Sequence, residues 1–380
     1  MNKLLASLSI GALATVSLAA CASDPSESKA SSKDLTVKAT DSKCSVSASK
    51  LKAGPSTFKV TNGGSKVTEF YVYADGDRIM GEVENVGPGL TRNLIVDLPK
   101  GTYEGACKPG MIGDGIRQTL TVTGEAATPL SDSDELKAAA TSYERYVKSQ
   151  SDTLIVKTTE FVDAVKAGNV DEAKKLFPIA RTYWERIEPV AEKFGDLDPI
   201  TDGREPDAVA EGVDFTGWHR IEKQLWVENN TEGMDKYADQ LLANVKKIVA
   251  LGQDAPLTAL ELAQGSKGLL DEVATGKITG EEDEFSHTDL WDFKANIEGS
   301  QAAISALRPV LVKQDPALVK DLDAKFAAVD TELNQYQDKS TGDWTFYDKL
   351  TDQQIKQLSD AVAALSEPIS KVAAVVAKSA

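Results

Sequence analysis

Between residues 34 and 124, apolar and polar positions alternate over short runs. Leu35-Thr36-Val37-Lys38-Ala39 and Thr57-Phe58-Lys59-Val60 both alternate and are rich in β-formers. Phe70-Tyr71-Val72-Tyr73, Leu94-Ile95-Val96 and Leu120-Thr121-Val122 follow. Asn62-Gly63-Gly64 and Asp75-Gly76-Asp77 supply turn chemistry between them. Seven or so short strands in about 90 residues predict a β-sandwich with Greek-key connections. After Gly124 the period changes. Ser131 or Ser133 offers an N-cap, and Leu136, Tyr143, Val147, Leu154, Phe161 and Val165 recur at helical spacing. Leu318, Leu322, Phe326, Val329, Leu333 and Tyr336 do the same, as do Ile355, Leu358, Val362, Leu365, Ile369, Val372 and Val376. Residues 130–380 therefore predict an all-α domain of long antiparallel helices. Sliding the chain by 146 residues pairs Leu176 with Leu322, Tyr183 with Val329 and Ile187 with Leu333, which suggests a duplicated helical unit.

The first residues change the picture of where the protein works. Lys3 precedes an apolar run from Leu4, too short to span a bilayer stably, that ends in Leu18-Ala19-Ala20-Cys21. This reads as a lipoprotein signal peptide over 1–20, cleaved before a lipid-carrying Cys21. Residues 21–33 are Ser-rich and read as a flexible tether. The expected location is the extracytoplasmic face of the cell membrane, held by lipid. Cys44 and Cys107 then remain in an oxidising compartment, where a structural disulfide and metal ligation are both open. The chain carries −17 overall; residues 1–33 and residues 34–124 each sum to +1, so residues 125–380 carry −19. Such a surface repels nucleic acid and attracts cations.

Histidine is scarce, with two in the whole chain. His219 lies three residues before Glu222 in Gly217-Trp218-His219-Arg220-Ile221-Glu222, so on a helix the two share a face and can converge on one ion. Arg181, Glu185, Glu188 and Glu192 form a stripe beside an apolar face; alone, such a stripe reads as solvated. The turn-rich segment 195–204 can bring Asp202 over the same place, and Glu281-Glu282-Asp283-Glu284 precedes the second histidine, His287. Carboxylates with one imidazole are a hard donor set, suited to ferric or ferrous iron, manganese or calcium.

Tyr183-Trp184-Glu185-Arg186-Ile187-Glu188-Pro189, the His219–Glu222 pair and Ser286-His287-Thr288-Asp289-Leu290-Trp291-Asp292-Phe293 together resemble the imelysin (M75) family, in the branch that carries an N-terminal cupredoxin-like domain. The resemblance covers residues 130–380. It implies two four-helix bundles and an iron site formed by His219, Glu222, Glu185, Glu188 and Asp202, with a carboxylate from the acidic run, Glu284 or else Glu281 or Glu282. It implies a non-enzymatic role in iron uptake, with a membrane iron permease and a haem peroxidase as partners. The family's peptidase label is the rival reading, as is a non-catalytic surface scaffold; the zinc-peptidase motif HExxH does not occur. Gly101 to Met111 is similar to a cupredoxin ligand loop, with Met111 where a histidine would stand. No histidine precedes His219, so an ordinary blue-copper centre is excluded. What the resemblance leaves is a degenerate site of Cys44, Glu69 and Cys107 with Met111 or Glu82, copper being the second metal considered. A Cys44–Cys107 disulfide is the alternative.

Overall fold

The computed structural model describes residues 34–74, 79–124, 133–194, 197–254 and 256–379. The signal peptide, Cys21, the tether and the Asp75-Gly76-Asp77 turn lie outside the described residues.

The alternating runs form a two-layer sandwich. Its strands are β1 (Asp34–Thr40), β2 (Lys43–Val46), β3 (Lys50–Lys52), β4 (Gly54–Asn62), β5 (Thr68–Tyr73), β6 (Ile79–Val86), β7 (Thr91–Leu98), β8 (Gly101–Pro109) and β9 (Ile116–Thr123). One sheet has the order β2-β1-β4-β7 and the other β3-β9-β8-β5-β6. β1 runs parallel to β4 and β3 parallel to β9, and the other pairings are antiparallel. The five runs read from the sequence fall on β1, β4, β5, β7 and β9. Gly101 to Met111, read as a ligand loop, is instead mostly β8, an interior strand of the second sheet. Phe58, Val60, Phe70, Val72, Leu94, Val96, Leu120 and Val122 fill the space between the sheets. Cys44 and Cys107 are joined by a disulfide that ties β2 in one sheet to β8 in the other.

The helices are α1 (Asp134–Lys166), α2 (Val170–Glu185), α3 (Leu197–Asp202), α4 (Glu205–Glu211), α5 (Gly217–Trp226) and α6 (Asp235–Asp254), then α7 (Ala259–Thr275), α8 (Asp289–Gln314), α9 (Pro316–Leu333), α10 (Asp352–Ile369) and α11 (Val372–Ala377). Ser133 stands at the N-cap of α1. α1 packs on α2, α6 and α8; α7 packs on α8 and α10; α9 packs on α8 and α10. Two helix groups thus meet along α8, which buries more than half of its circumference and leaves a stripe through Lys294, Glu298, Ser305 and Val312 at least partly exposed. α2 and α9 begin 146 residues apart, matching the offset in the apolar pattern.

α2 stops at Glu185 because Pro189 follows. Proline offers no N–H to continue the ladder and disfavours helical backbone at the residue before it. The chain tightens into a 3₁₀ segment, Glu188–Phe194. α7 lies close above this segment: a Cβ at Gly265 would come within 1.7 Å of Pro189 O, so the approach requires glycine. α7 also meets the sandwich at β6 and β7. There Gln264 donates to the Ile95 carbonyl and Arg92 pairs with Asp271.

Candidate metal centre

α5 delivers the imidazole. Gly217 begins it at φ +74°, and a Cβ there would lie 2.0 Å from Thr201 O. Only glycine lets α5 start this close to the end of α3, and the Thr216 hydroxyl donates to Ile200 O at the same junction. The contact brings His219 Nε2 within 3.3 Å of Asp202 Oδ1, the last residue of α3. One helical turn on, Glu222 Oε2 lies 2.8 Å from His219 Nδ1.

Glu222 has a second task. Its Oε1 accepts the backbone N–H groups of Phe285 at 3.1 Å and Ser286 at 2.8 Å. That clasp fixes the acidic turn beneath α5 and places Asp283 Oδ1 4.0 Å from His219 Nδ1. Potential ligand atoms of Asp202, His219 and Glu282 all lie within 4.8 Å of one another, as do those of His219, Glu222 and Asp283. The turn contributes Glu282 and Asp283, both buried. Of the three glutamates the sequence left open, Glu282 is the one brought in; Glu284 is exposed, and so is Glu281, which pairs with Arg204.

Glu185 and Glu188, also expected as ligands, are held by other charges. Arg181 and Glu185 on α2 are buried rather than solvated, and Glu188 after it nearly so, because partners from distant segments cover them. Arg181, fully buried, sends Nε to Asp292 Oδ2 at 2.9 Å and NH2 to Glu185 Oε1 at 2.5 Å, and it also pairs with Asp202. Glu282 Oε1 and Asp283 Oδ1 each lie 3.3 Å from the same guanidinium. Lys277 and the Asn296 amide take the remaining oxygens of Glu185 and Glu188. Glu192's side chain lies outside the described part of the structure, and His287 sits at φ +58° in the turn, outside the donor groups.

Six buried or nearly buried carboxylates (Glu185, Glu188, Asp202, Glu282, Asp283, Asp292) therefore face two permanent cations, Arg181 and Lys277, with Glu222 buried beside them against His219. The negative surplus sets the protonation of the ion-free state. Burial and Arg181 push the His219 ring down, but the Asp202 and Glu222 carboxylates beside its nitrogens outweigh both and lift it to about 10. Burial lifts Asp283 and Asp292 well above the usual carboxylate range. Burial also works on Asp202, yet Arg181 and His219 hold it low. His219 Nε2 and Asp283 Oδ1 are buried with only the long ion-pair contacts to Asp202 and Arg181, and Asp292 Oδ1 is buried without a hydrogen-bond partner, so these atoms keep capacity for a ligand. A cavity of about 740 Å³ is lined by Asp202, Glu282, Arg204 and Asp207 among others.

The strand-domain set does not assemble. The two sulfurs are bonded to each other, so neither is a thiolate ligand. Cys107 pairs with Phe70 on the inner face of the second sheet. Side chains alternate along a strand, so Glu69 points to the outer face, where Glu82 stands beside Tyr71. Met111 turns away after β8 at φ +60°. On that outer face burial lifts Glu69 and Glu84 to about 7, and Tyr71 donates its hydroxyl to Glu84.

A helical protein with a strand domain and a buried carboxylate–imidazole centre is the class this geometry defines, and the comparisons agree. The family model described as imelysin, of the M75 peptidase group, matches residues 139–372, and that of the cupredoxin-like domain matches residues 11–122. The chain belongs to the imelysin family, in the form that carries a cupredoxin-like domain. "Iron uptake system component EfeO" of Escherichia coli K12 is 38% identical over 370 residues, covering 96% of this chain and 95% of that protein. The proteins of the same name from Shigella flexneri and from Escherichia coli O6:K15:H31 are 38% identical over 96% of this chain and 39% identical over 88%. Among the described residues, no helix is long and apolar enough to cross a membrane.

Proposed function

We propose that the chain is the lipid-anchored, extracytoplasmic iron-binding component of an iron uptake system. It captures iron at the His219 centre and passes it to a membrane permease of the EfeU kind, with a haem peroxidase of the EfeB kind as a further partner. The identity of its relatives as iron uptake components supports this reading. The observation that carries it is His219 Nε2, a buried ring nitrogen whose nearest partner is Asp202 at 3.3 Å, grouped with Asp202 and Glu282, two carboxylates that line an open cavity. Iron would take Nε2, Asp202 and Glu282. Glu222 would hold the other ring nitrogen as a hydrogen-bond donor, the arrangement in which a ligating imidazole is oriented by a carboxylate behind it. Buried oxygens with one imidazole suit ferrous or ferric iron better than a soft metal.

The test is iron binding by the mature chain, read by titration and by thermal shift. Iron at a hundred times its dissociation constant should stabilise the fold by about 2.7 kcal/mol. His219→Ala should remove that stabilisation, and Glu222→Gln should weaken binding by about 10–100-fold. Variants that fold and titrate with iron like the wild type would refute the assignment.

A further inference from the structure

Lys277 is 1% exposed and is held as a metal ion would be held. Its Nζ lies 2.7 Å from Glu185 Oε2 and 2.8 and 2.9 Å from the two oxygens of Glu188, with Glu282 Oε1 at 3.5 Å. One carboxylate grips with both oxygens, one with a single oxygen, and a third stands further off. Lysine seldom gives up water for its charge, so a fully enclosed ammonium marks a place where the fold needs a cation. The Asn296 amide donates to the same two glutamates at 2.8 and 2.6 Å, while its own Oδ1, also buried, has no hydrogen-bond partner. Lys277 enters from the short turn Lys277–Thr279, just before the segment that carries Glu282. Glu282 is thus common to the lysine cage and to the donor group around His219.

Glu185 at the end of α2 and Glu188 in the 3₁₀ segment after it stand on one side and the His219/Glu222 pair of α5 on the other, and a shared carboxylate between two cation positions gives the layout of a two-metal carboxylate centre. We propose that Lys277 occupies the second cation position and so restricts the centre to a single metal ion. The inference rests on the reading that His219, Asp202 and Glu282 hold iron. An ammonium supplies charge without an open coordination position. The centre therefore holds one exchangeable ion rather than a bridged pair able to share electrons with a bound oxidant.

The experiment compares the mature wild type with Lys277→Ala, each shown to be folded by circular dichroism, loaded with ferrous iron under nitrogen, desalted and analysed for iron per chain. Lys277→Ala should carry one further ion per chain. Lys277→Arg, which keeps the cation, and Lys277→Ala/Glu188→Gln, which dismantles the cage, should not. After oxidation, magnetic coupling between neighbouring ferric ions should diminish the isolated high-spin signal in Lys277→Ala alone. Should that variant fail to fold, Lys277→Gln serves in its place. A folded, uncharged variant that keeps the wild-type iron count overturns the proposal. Absence of iron from the wild type would instead overturn the His219 assignment, while the gain on removing Lys277 would still be read as a difference between the two proteins.

Discussion

Loading His219 with iron must expel a proton, and the structure sets the size of that competition. The ring is lifted to about 10, against an ordinary imidazole value of 6.5. At pH 7 the ion-free ring is therefore an imidazolium, favoured over the neutral form by about three pH units, or about 4 kcal/mol. Iron needs the Nε2 lone pair, while the Nδ1 proton stays with Glu222. Below pH 10 the apparent affinity should thus rise roughly tenfold per pH unit from this ring alone, with Asp283 adding to the proton release because burial lifts its carboxyl. Stability of the ion-free protein should run the other way. A folded value above the unfolded one contributes stability that is complete below 6.5 and is lost as pH rises towards 10. Calorimetry with ferrous iron under nitrogen at pH 7, in two buffers of different ionisation enthalpy, counts the protons released. About one or more per iron is expected. A count near zero, with affinity flat between pH 6 and 8, would refute the protonated ring and the role given to Nε2.

Gly217→Ala should lower stability by about 1–3 kcal/mol or more, since it combines a positive φ with a Cβ driven into the Thr201 carbonyl; a melting temperature equal to that of the wild type would show that α3 and α5 do not meet as described. Cys21→Ala should release the protein from membranes or leave an unprocessed precursor, as the loss of a diacyl anchor requires; a wild-type N-terminus free of lipid by mass spectrometry would exclude the anchor.

What could be read from the sequence was what repeats locally. β1, β4 and β9 announce themselves by alternation, and β5 and β7 by runs of β-forming residues. β8 does not, because Gly101, Gly105 and Pro109 give it the composition of a loop, and only its neighbours β5 and β9 make it a strand. α8 hides for a different reason: its buried face carries Asp289, Asp292, Asn296 and Ser300 among the apolar residues, which blurs the period. The His219–Glu222 pair is legible because both residues sit on one helix turn. The second cage is not, since Arg181, Lys277, Asp292 and Asn296 come from three separate segments. A stripe such as Arg181–Glu185–Glu188 looks solvated until those partners are known. Asp292 and Asn296, one turn apart inside the apolar run of α8, were the available hint, as buried polar groups at helical spacing need partners. The placement of Glu282 and Asp283 rather than Glu284 depends on where Glu222 catches the backbone, which no local pattern encodes.

That catch has a consequence for timing. Glu222 orients the imidazole with one oxygen and holds the turn bearing Glu282 and Asp283 with the other. The helix-borne and turn-borne donors are thereby fastened at a single point, and loosening it slackens both at once. Under the proposed function, departure of the ion would then be a concerted event with one barrier rather than a sequence of small ones. Spontaneous loss would be slowed on that account, and a receiving protein that pulled the 285–286 backbone away from Glu222 would set the rate of unloading without touching the ion.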